Sequence, residues 1–252
     1  MSWAGIFLLL WIASGCSSQT LDRDAAELHM QIGTGYLAKG IYPQALEELQ
    51  KAQQLDPDNP AILNNLGLVY FVRGYYAEAE KLIRKALAGH PKYSDARNNL
   101  ARVLLEQKRF TEAFAELAMV EKDLTYPQLD KLWLNYGIGH YRQGSYVSAK
   151  DALLNSLKYN RKNCLANTYY GQTLYALRQY QNAAEALDAA IEFCEATPSN
   201  EAYYFGGQSY LRLGQTERAL ARFEEIMRLN PHGPHGAEVR TLIHQLKEKQ
   251  KL

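Results

Sequence analysis

The sequence has little of what marks out specialised classes of protein. Its 252 residues include only 3 cysteines, too few for a disulfide scaffold and wrongly spaced for a zinc ribbon. Proline (8) and glycine (17) form no low-complexity tract, and 47% of the residues are hydrophobic, which excludes wholesale disorder. The net charge is +1 with no strongly basic half, so we predict that the chain does not bind nucleic acid.

Motifs for catalysis are also missing. The sequence contains no Gly-rich phosphate loop, no Gly-x-Ser-x-Gly elbow and no His-Glu-x-x-His pair. Only His232 and His235 lie close together, where two solvated histidines are the favoured interpretation and a metal site is the alternative. Acidic residues alternate with lysines in helical patterns, which indicates solvated helix faces. We therefore predict no enzymatic activity, no metal and no cofactor.

The N-terminal segment has the features of an export signal. Residues 1–15 carry no charged side chain, and their apolar run at 6–13 is shorter than the roughly 20 residues that span a bilayer. Residues 13–16 (ASGC) resemble the lipobox of bacterial lipoproteins. This resemblance implies cleavage before Cys16, acylation of its thiol and, since Ser17 follows, sorting to the periplasmic face of the outer membrane. The alternative is an ordinary secretory signal with a coincidental cysteine.

A period of 34 to 36 residues fills the rest of the chain. The eighth residue of each unit is small, the twentieth is always alanine and the twenty-fourth is large and apolar. The small residues are Gly33, Gly67, Ala101, Gly137, Gly171 and Gly207; the alanines are Ala45, Ala79, Ala113, Ala149, Ala183 and Ala219; the large residues are Leu49, Ile83, Leu117, Leu153, Leu187 and Phe223. This pattern resembles the tetratricopeptide repeat, a pair of helices A and B.

The resemblance implies an all-α fold, a right-handed α-solenoid of six helix-turn-helix repeats and a capping helix. The expected repeats are residues 26–59, 60–93, 94–127, 130–163, 164–197 and 200–233, after a polar tether at 16–25 and before the cap at 234–252. Glycines 40, 74, 144 and 214 are expected to end helix A in a left-handed cap. A single repeat cannot bury its own apolar face, so the repeats must stack.

Stacked A helices are expected to form a groove that binds a protein segment. The predicted groove residues are Met30, Leu37, Asn64, Phe71, Asn98, Leu105, Tyr141 and Tyr175. Apolar and aromatic side chains with interspersed amides suit an extended peptide or an amphipathic helix. The alternative is that these residues are simply those the repeat family usually carries at these positions.

The repeat frame also predicts a disulfide. Cys164 is the first residue of the fifth repeat and Cys194 is its thirty-first. Because helices A and B of one repeat are antiparallel, the start of A lies beside the end of B. An exported protein meets an oxidising environment, in which such a pair persists as a disulfide. The alternative is two unpaired, half-buried thiols.

The whole arrangement of lipobox, six repeats and cap resembles the type IV pilus biogenesis lipoproteins PilF and PilW, the pilotins of that system. What this resemblance implies is a lipid-anchored outer-membrane protein that binds the pilus secretin and promotes its localisation and multimerisation. The alternative is another envelope scaffold lipoprotein, which would bind a segment from the machinery for outer-membrane protein insertion or from peptidoglycan enzymes. The repeat motif alone does not name the partner.

Overall fold

The computed structural model describes residues 4–194 and 198–249, with side chains from residue 21 onward in these ranges. In this part of the chain we find thirteen α-helices and no strand, which confirms the predicted all-α fold. The helices are α1 Ala4–Ala38, α2 Tyr42–Leu55, α3 Pro60–Val72, α4 Tyr76–Gly89, α5 Ser94–Glu106, α6 Phe110–Glu121, α7 Leu129–Arg142, α8 Tyr146–Tyr159, α9 Cys164–Ala176, α10 Tyr180–Phe193, α11 Asn200–Arg212, α12 Thr216–Leu229 and α13 Gly236–Lys249.

The first helix is longer than the repeat pattern predicts. α1 begins at Ala4, so the predicted signal segment, the tether and the first A helix form one continuous helix. No proline or glycine lies between Cys16 and Ala26, so nothing in the tether breaks the helix. The side chain of Cys16 falls outside the described residues, and its acylation stays a prediction. No helix within the described ranges is long and apolar enough to cross a membrane.

The chain forms two compact units, Met1–Asp123 and Leu124–Leu252. In unit 1, helices α1 to α6 pack as three consecutive A–B hairpins. In unit 2, α7 to α12 form three more hairpins, and α13 packs on α12. The division lies beside the first of the two junctions that are two residues longer than the rest, at Tyr126 and Pro127.

Each A helix ends in a residue with a left-handed backbone, and this is the turn that starts helix B. The predicted glycines have φ between 72° and 81°. In the third and fifth repeats the same position is held by Lys108 (φ 60°) and Arg178 (φ 61°). Residues with a Cβ pay about 1–2 kcal/mol in this conformation, so the hairpin geometry is imposed on these two turns by packing on both sides.

Close approach of the paired helices explains the small eighth residue of each repeat. A Cβ built on Gly67 would lie 2.5 Å from Ile83 Cγ1, and one on Gly207 would lie 2.5 Å from Phe223 Cε1. Both partners are the large twenty-fourth residues, and both are fully buried. A small residue on A and a large one on B therefore interlock, which lets the core form between helices rather than at their ends.

The last helix covers the exposed edge of the sixth repeat, as predicted. Val239 is fully buried, and Leu242, Ile243 and Leu246 pack against the cluster around Phe223. Lys247 Nζ lies 2.7 Å from Glu224 Oε1 at the rim. An apolar stripe on α13 thus replaces the repeat that would otherwise be needed to complete the core.

Candidate functional site

Helices α1, α3 and α5 form what we call the A-helix face of unit 1, and six of the predicted groove residues lie on these helices. Three of these prove to be buried: Asn64 is 3% exposed, Asn98 is 2% exposed and Leu105 is 1% exposed. Asn64 Oδ1 accepts a hydrogen bond of 3.0 Å from Asn99 Nδ2 on the next A helix. These three side chains are therefore almost inaccessible to a bound segment, and the hydrogen bond of Asn64 holds adjacent helices together, because a buried amide must be paired.

Phe71 remains half-exposed on the same face and is joined by a cation that sequence inspection missed. The Arg102 guanidinium carbon lies 4.7 Å above the centre of the Phe71 ring. Burial lowers the pKa of Arg102, an effect that Glu106 opposes. A desolvated guanidinium over an aromatic ring presents a localised positive charge to any segment lying on this face. Arg102 stands at the ninth position of its repeat, and this position was the sequence feature that could have identified the residue.

Met30 and Leu37, the other two predicted residues of unit 1, are half-buried. Both pack against the core cluster that contains Leu49, Ile62 and Leu66. Part of each side chain is exposed on the A-helix face, and the rest fills the core. A charged residue at either position would therefore destabilise the unit as well as change its surface.

The A-helix face of unit 2, formed by α7, α9 and α11, is a row of aromatic rings. Tyr141 lies 5.5 Å from Tyr169, and Tyr175 lies 5.5 Å from Phe205, each edge to face with a ring on the next A helix. Each also contacts a tyrosine of its own B helix, Tyr146 at 5.7 Å and Tyr180 at 5.4 Å. The predicted groove residues Tyr141 and Tyr175 thus belong to a row of rings that links one repeat to the next within this unit.

Burial, helped by Tyr146 and Tyr169, raises the pKa of Tyr141 to about 12. Its hydroxyl is therefore neutral at physiological pH and can donate a hydrogen bond to a carbonyl of a bound segment. Rings wedged between helices lose little conformational freedom on binding, which suits them to recognition.

The histidines of the loop before α13 do not behave as a solvated pair. His232 is exposed, but the ring of His235 stacks on Tyr204 with centroids 3.8 Å apart. Burial, and the hydrogen bond donated to Glu238 Oε1 (2.6 Å), raise the pKa of Tyr204 to about 12. The expectation of two solvated histidines is wrong for His235, because α13 folds back and presses the loop against α11.

Cys164 and Cys194 are adjacent in the structure, with Cα atoms 5.2 Å apart, a separation that a disulfide spans. Other repeats close the same two ends by hydrogen bonds. In the third, Ser94 Oγ donates to Asp123 Oδ2 at 2.5 Å, and in the fourth, Asn160 Nδ2 donates to Asp130 Oδ2 at 3.4 Å. The start of A and the end of B therefore meet in each of these repeats, whatever the chemistry that joins them.

The side chains of the A-helix faces are suited to binding a protein segment. Within the described ranges, no group of three or more His, Cys, Asp or Glu side chains is placed to hold a metal ion. What the two A-helix faces offer is half-exposed rings, the guanidinium groups of Arg102 and Arg212, and tyrosine hydroxyls. These are the elements with which helical repeats recognise protein segments.

Fold and faces together define a tetratricopeptide repeat protein. Models of the tetratricopeptide repeat match residues 33–74, 73–125, 135–201 and 201–232. The chain is also 30% identical over 192 residues to the type IV pilus assembly protein PilF of Pseudomonas aeruginosa, covering 73% of this chain and 76% of that protein. The chain therefore belongs to the family of PilF.

Solved structures agree with this assignment. The structure of Pseudomonas aeruginosa PilF superposes with a TM-score of 0.71 at 25% identity, covering 87% of this chain and 98% of that one. PilW, described as a widely conserved type IV pilus biogenesis factor, superposes with a TM-score of 0.73 at 21% identity, covering 85% and 97%. The second likeness shows the shared fold.

Proposed function

We propose that the protein is a pilotin of a type IV pilus system. It would be a lipoprotein of the outer membrane, facing the periplasm, that binds the pilus secretin and promotes its localisation and multimerisation. The observation that carries the proposal is the relationship to the pilus assembly protein PilF across most of both chains. The ASGC segment at residues 13–16 supports the lipid anchor.

The A-helix faces are the surfaces we assign to the secretin segment. Phe71 and Arg102 offer an aromatic and a positive charge in unit 1, and Tyr141 and Tyr175 offer rings and hydroxyls in unit 2. A segment with apolar anchors and an acidic residue matches this chemistry. Anchoring at Cys16 would raise the concentration of these faces at the membrane without adding any contact.

Fractionation with labelled palmitate tests the anchor. Cys16→Ala is expected to lose the label and to move the protein from the membrane fraction into the periplasm. Cys164→Ala, which changes a cysteine far from the lipobox, is the matched control and should keep the label. A wild-type protein without label would refute the anchor.

Deletion of the gene tests the role itself. The strain is expected to lose heat- and detergent-resistant secretin multimers while keeping secretin monomers, and to lose twitching motility. Complementation with Arg102→Gln, which keeps the side chain long but removes its charge, is expected to restore fewer multimers than wild type. Normal multimers and motility in the deletion strain would favour the envelope scaffold instead.

We also propose that the bridge between Cys164 and Cys194 is present in the exported protein. Its support is the placement of both residues by the repeat frame and the short separation of their Cα atoms. Thiol counting on denatured protein without reductant is expected to find neither thiol free. Two free thiols would refute the bridge.

A further inference from the structure

A second groove lies on the opposite side of unit 2, away from the A-helix face. It runs between the B helices α8 and α10 over the floor provided by α9, and has a volume of about 530 Å³. Its apolar lining comprises Leu154, Leu157, Tyr170, Leu174, Ala186, Ala189 and Phe193. Leu154, on one wall, is 39% exposed.

The fold does not require an apolar residue at the position of Leu154. Leu154 is the twenty-fifth residue of its repeat, and the same position elsewhere is mostly polar: Gln50, Arg84, Ala118, Asp188 and Glu224. Leu157 is half-buried and stands at the twenty-eighth position, which is apolar in the second, fifth and sixth repeats as well (Leu87, Ile191 and Met227). A stacked repeat therefore accommodates a polar residue at the position of Leu154, and the exposure of this leucine needs a reason outside the core.

Charge is distributed unevenly along the groove. Lys158 and Arg161 line one end, and Lys162 follows directly. None of these three cations has a carboxylate within 4.0 Å among the described residues; Lys158 bonds only to Asn155 Oδ1, at 2.8 Å. The opposite wall carries Glu185, which accepts a hydrogen bond from Gln181. The end of the groove beside the C-terminus of α8 is thus positively charged, and no carboxylate of the described residues neutralises it.

We propose that this groove, which we call the outer groove, binds an amphipathic helix of a partner protein. Its apolar row, spaced i, i+3 or i+4, i+7, would contact Leu154, Leu157 and Phe193. Acidic residues at one end would contact Lys158 and Arg161. Two B helices with a slot between them accept a third helix by ridge-into-groove packing, and the positive end sets its orientation. The inference does not depend on the proposed pilus role.

The position of the bridged cysteines suits such a site. Phe193 is the last residue of α10, and Cys194, which follows it, joins the start of α9. Wall and floor are therefore held at the same point by a covalent link. When a groove is already held in its bound shape, less conformational entropy is lost on binding a ligand.

A displayed library of 16-residue helical peptides, sorted against the purified full-length protein in detergent, tests the outer groove. Selected peptides are expected to carry an apolar row and acidic residues near one end. They should bind Leu154→Asp at least tenfold more weakly than wild type. Gln50→Asp, an exposed change at the same repeat position in unit 1, is the matched control and should bind as wild type does. Circular dichroism checks that both variants are folded.

Reversal of charge gives a second, independent readout. Lys158→Glu with Arg161→Glu should weaken binding of the acidic peptides at least tenfold, and replacing their acidic residues with lysine should restore it. Failure to select any peptide, selection of peptides without acidic residues, or binding unaffected by both variants would overturn the proposal. So would concentration-dependent self-association that Leu154→Asp abolishes, because a second copy would then be the occupant. The deletion strain and Arg102→Gln test the pilus role and the A-helix face of unit 1, whereas the peptide experiments test the outer groove. Either proposal can therefore fail without the other.

Discussion

Units 1 and 2 use one repeat frame and ion pairs between successive B helices, but unit 2 adds a row of aromatic rings and a pair of adjacent cysteines. In unit 1, Arg109 at the start of α6 donates to Glu80 of α4 at 2.7 Å and so connects successive B helices. In unit 2, Arg222 of α12 likewise donates to Asp188 of α10 at 2.8 Å, and further support comes from rings that join successive A helices and from the proposed bridge between Cys164 and Cys194. The shared part is the interlock of a small residue on A with a large residue on B.

This difference shows which positions of a repeat are free to change. The eighth and twenty-fourth residues are constrained because they meet between helices. A change in the volume of either side chain would destabilise the packing there. The residues that join the ends of A and B, or one repeat to the next, need only be complementary. Function can therefore be placed on these variable positions without loss of the fold.

The largest difference between the units should come from the bridge. Cys164→Ser with Cys194→Ser is expected to destabilise unit 2 by about 3.5 kcal/mol, because the unfolded chain regains the freedom of a loop of about thirty residues. Hydrogen exchange followed by mass spectrometry should show faster exchange in α9 and α10, while α1 to α4 are unchanged. Wild-type protein treated with reductant should behave like the variant. Equal exchange in reduced and oxidised protein would contradict the prediction.

Phe71 in unit 1 and Tyr175 in unit 2 are both the twelfth residue of their repeat, so they allow the two A-helix faces to be compared directly. Each ring is half-buried between its own B helix and the next A helix, so substitution with alanine is expected to cost about 2 kcal/mol in either unit. Chemical denaturation measures this cost. A pure partner contact would leave stability unchanged, and that result for either residue would show that its ring does not pack as the structure indicates.

Lys108 and Arg178 test whether the backbone is equally constrained in both units. Replacing either with glycine should stabilise its unit by about 0.5 to 1 kcal/mol, since the strain of a left-handed residue exceeds the entropy that glycine adds to the unfolded chain. The converse change, Gly74→Ala, should destabilise by about 1 kcal/mol. Thermal melting measures both. A loss of stability in Lys108→Gly would mean that its side chain contributes more than its backbone costs.

The smallest expected effect is a pH dependence in unit 1. Burial acts to raise the pKa of Glu80, but hydrogen bonds with Arg84, Gln107 and Arg109 lower it below its ordinary value of 4.5. The stability gained from the charged carboxylate is therefore present above about pH 4.5 and is lost as the pH falls through the lowered value. The loss should stay under about 1 kcal/mol, as for other partly exposed pairs. Unfolding midpoints of Glu80→Gln between pH 3 and 6 should lack this component; an unchanged dependence would assign it to other groups.

Much of the fold follows from local pattern. Six aligned alanines at the twentieth position and small residues at the eighth required helices in close antiparallel pairs, and the frame brought Cys164 beside Cys194 thirty positions away. The stripe from Val239 to Leu246 required a covering role for the last helix. These features depend on short-range periodicity, which a sequence displays directly.

The exposure of individual side chains was decided only by tertiary packing. Periodicity placed Leu105, Asn98 and Phe71 on one face, but neighbouring helices bury the first two and leave the third partly exposed with Arg102 above it. Stacking likewise took His235 out of solvent and held Lys108 and Arg178 in left-handed turns. The physical reason is that burial, desolvation and strain depend on which side chains of other helices fill the same space, and that is a property of the assembled structure rather than of any one segment.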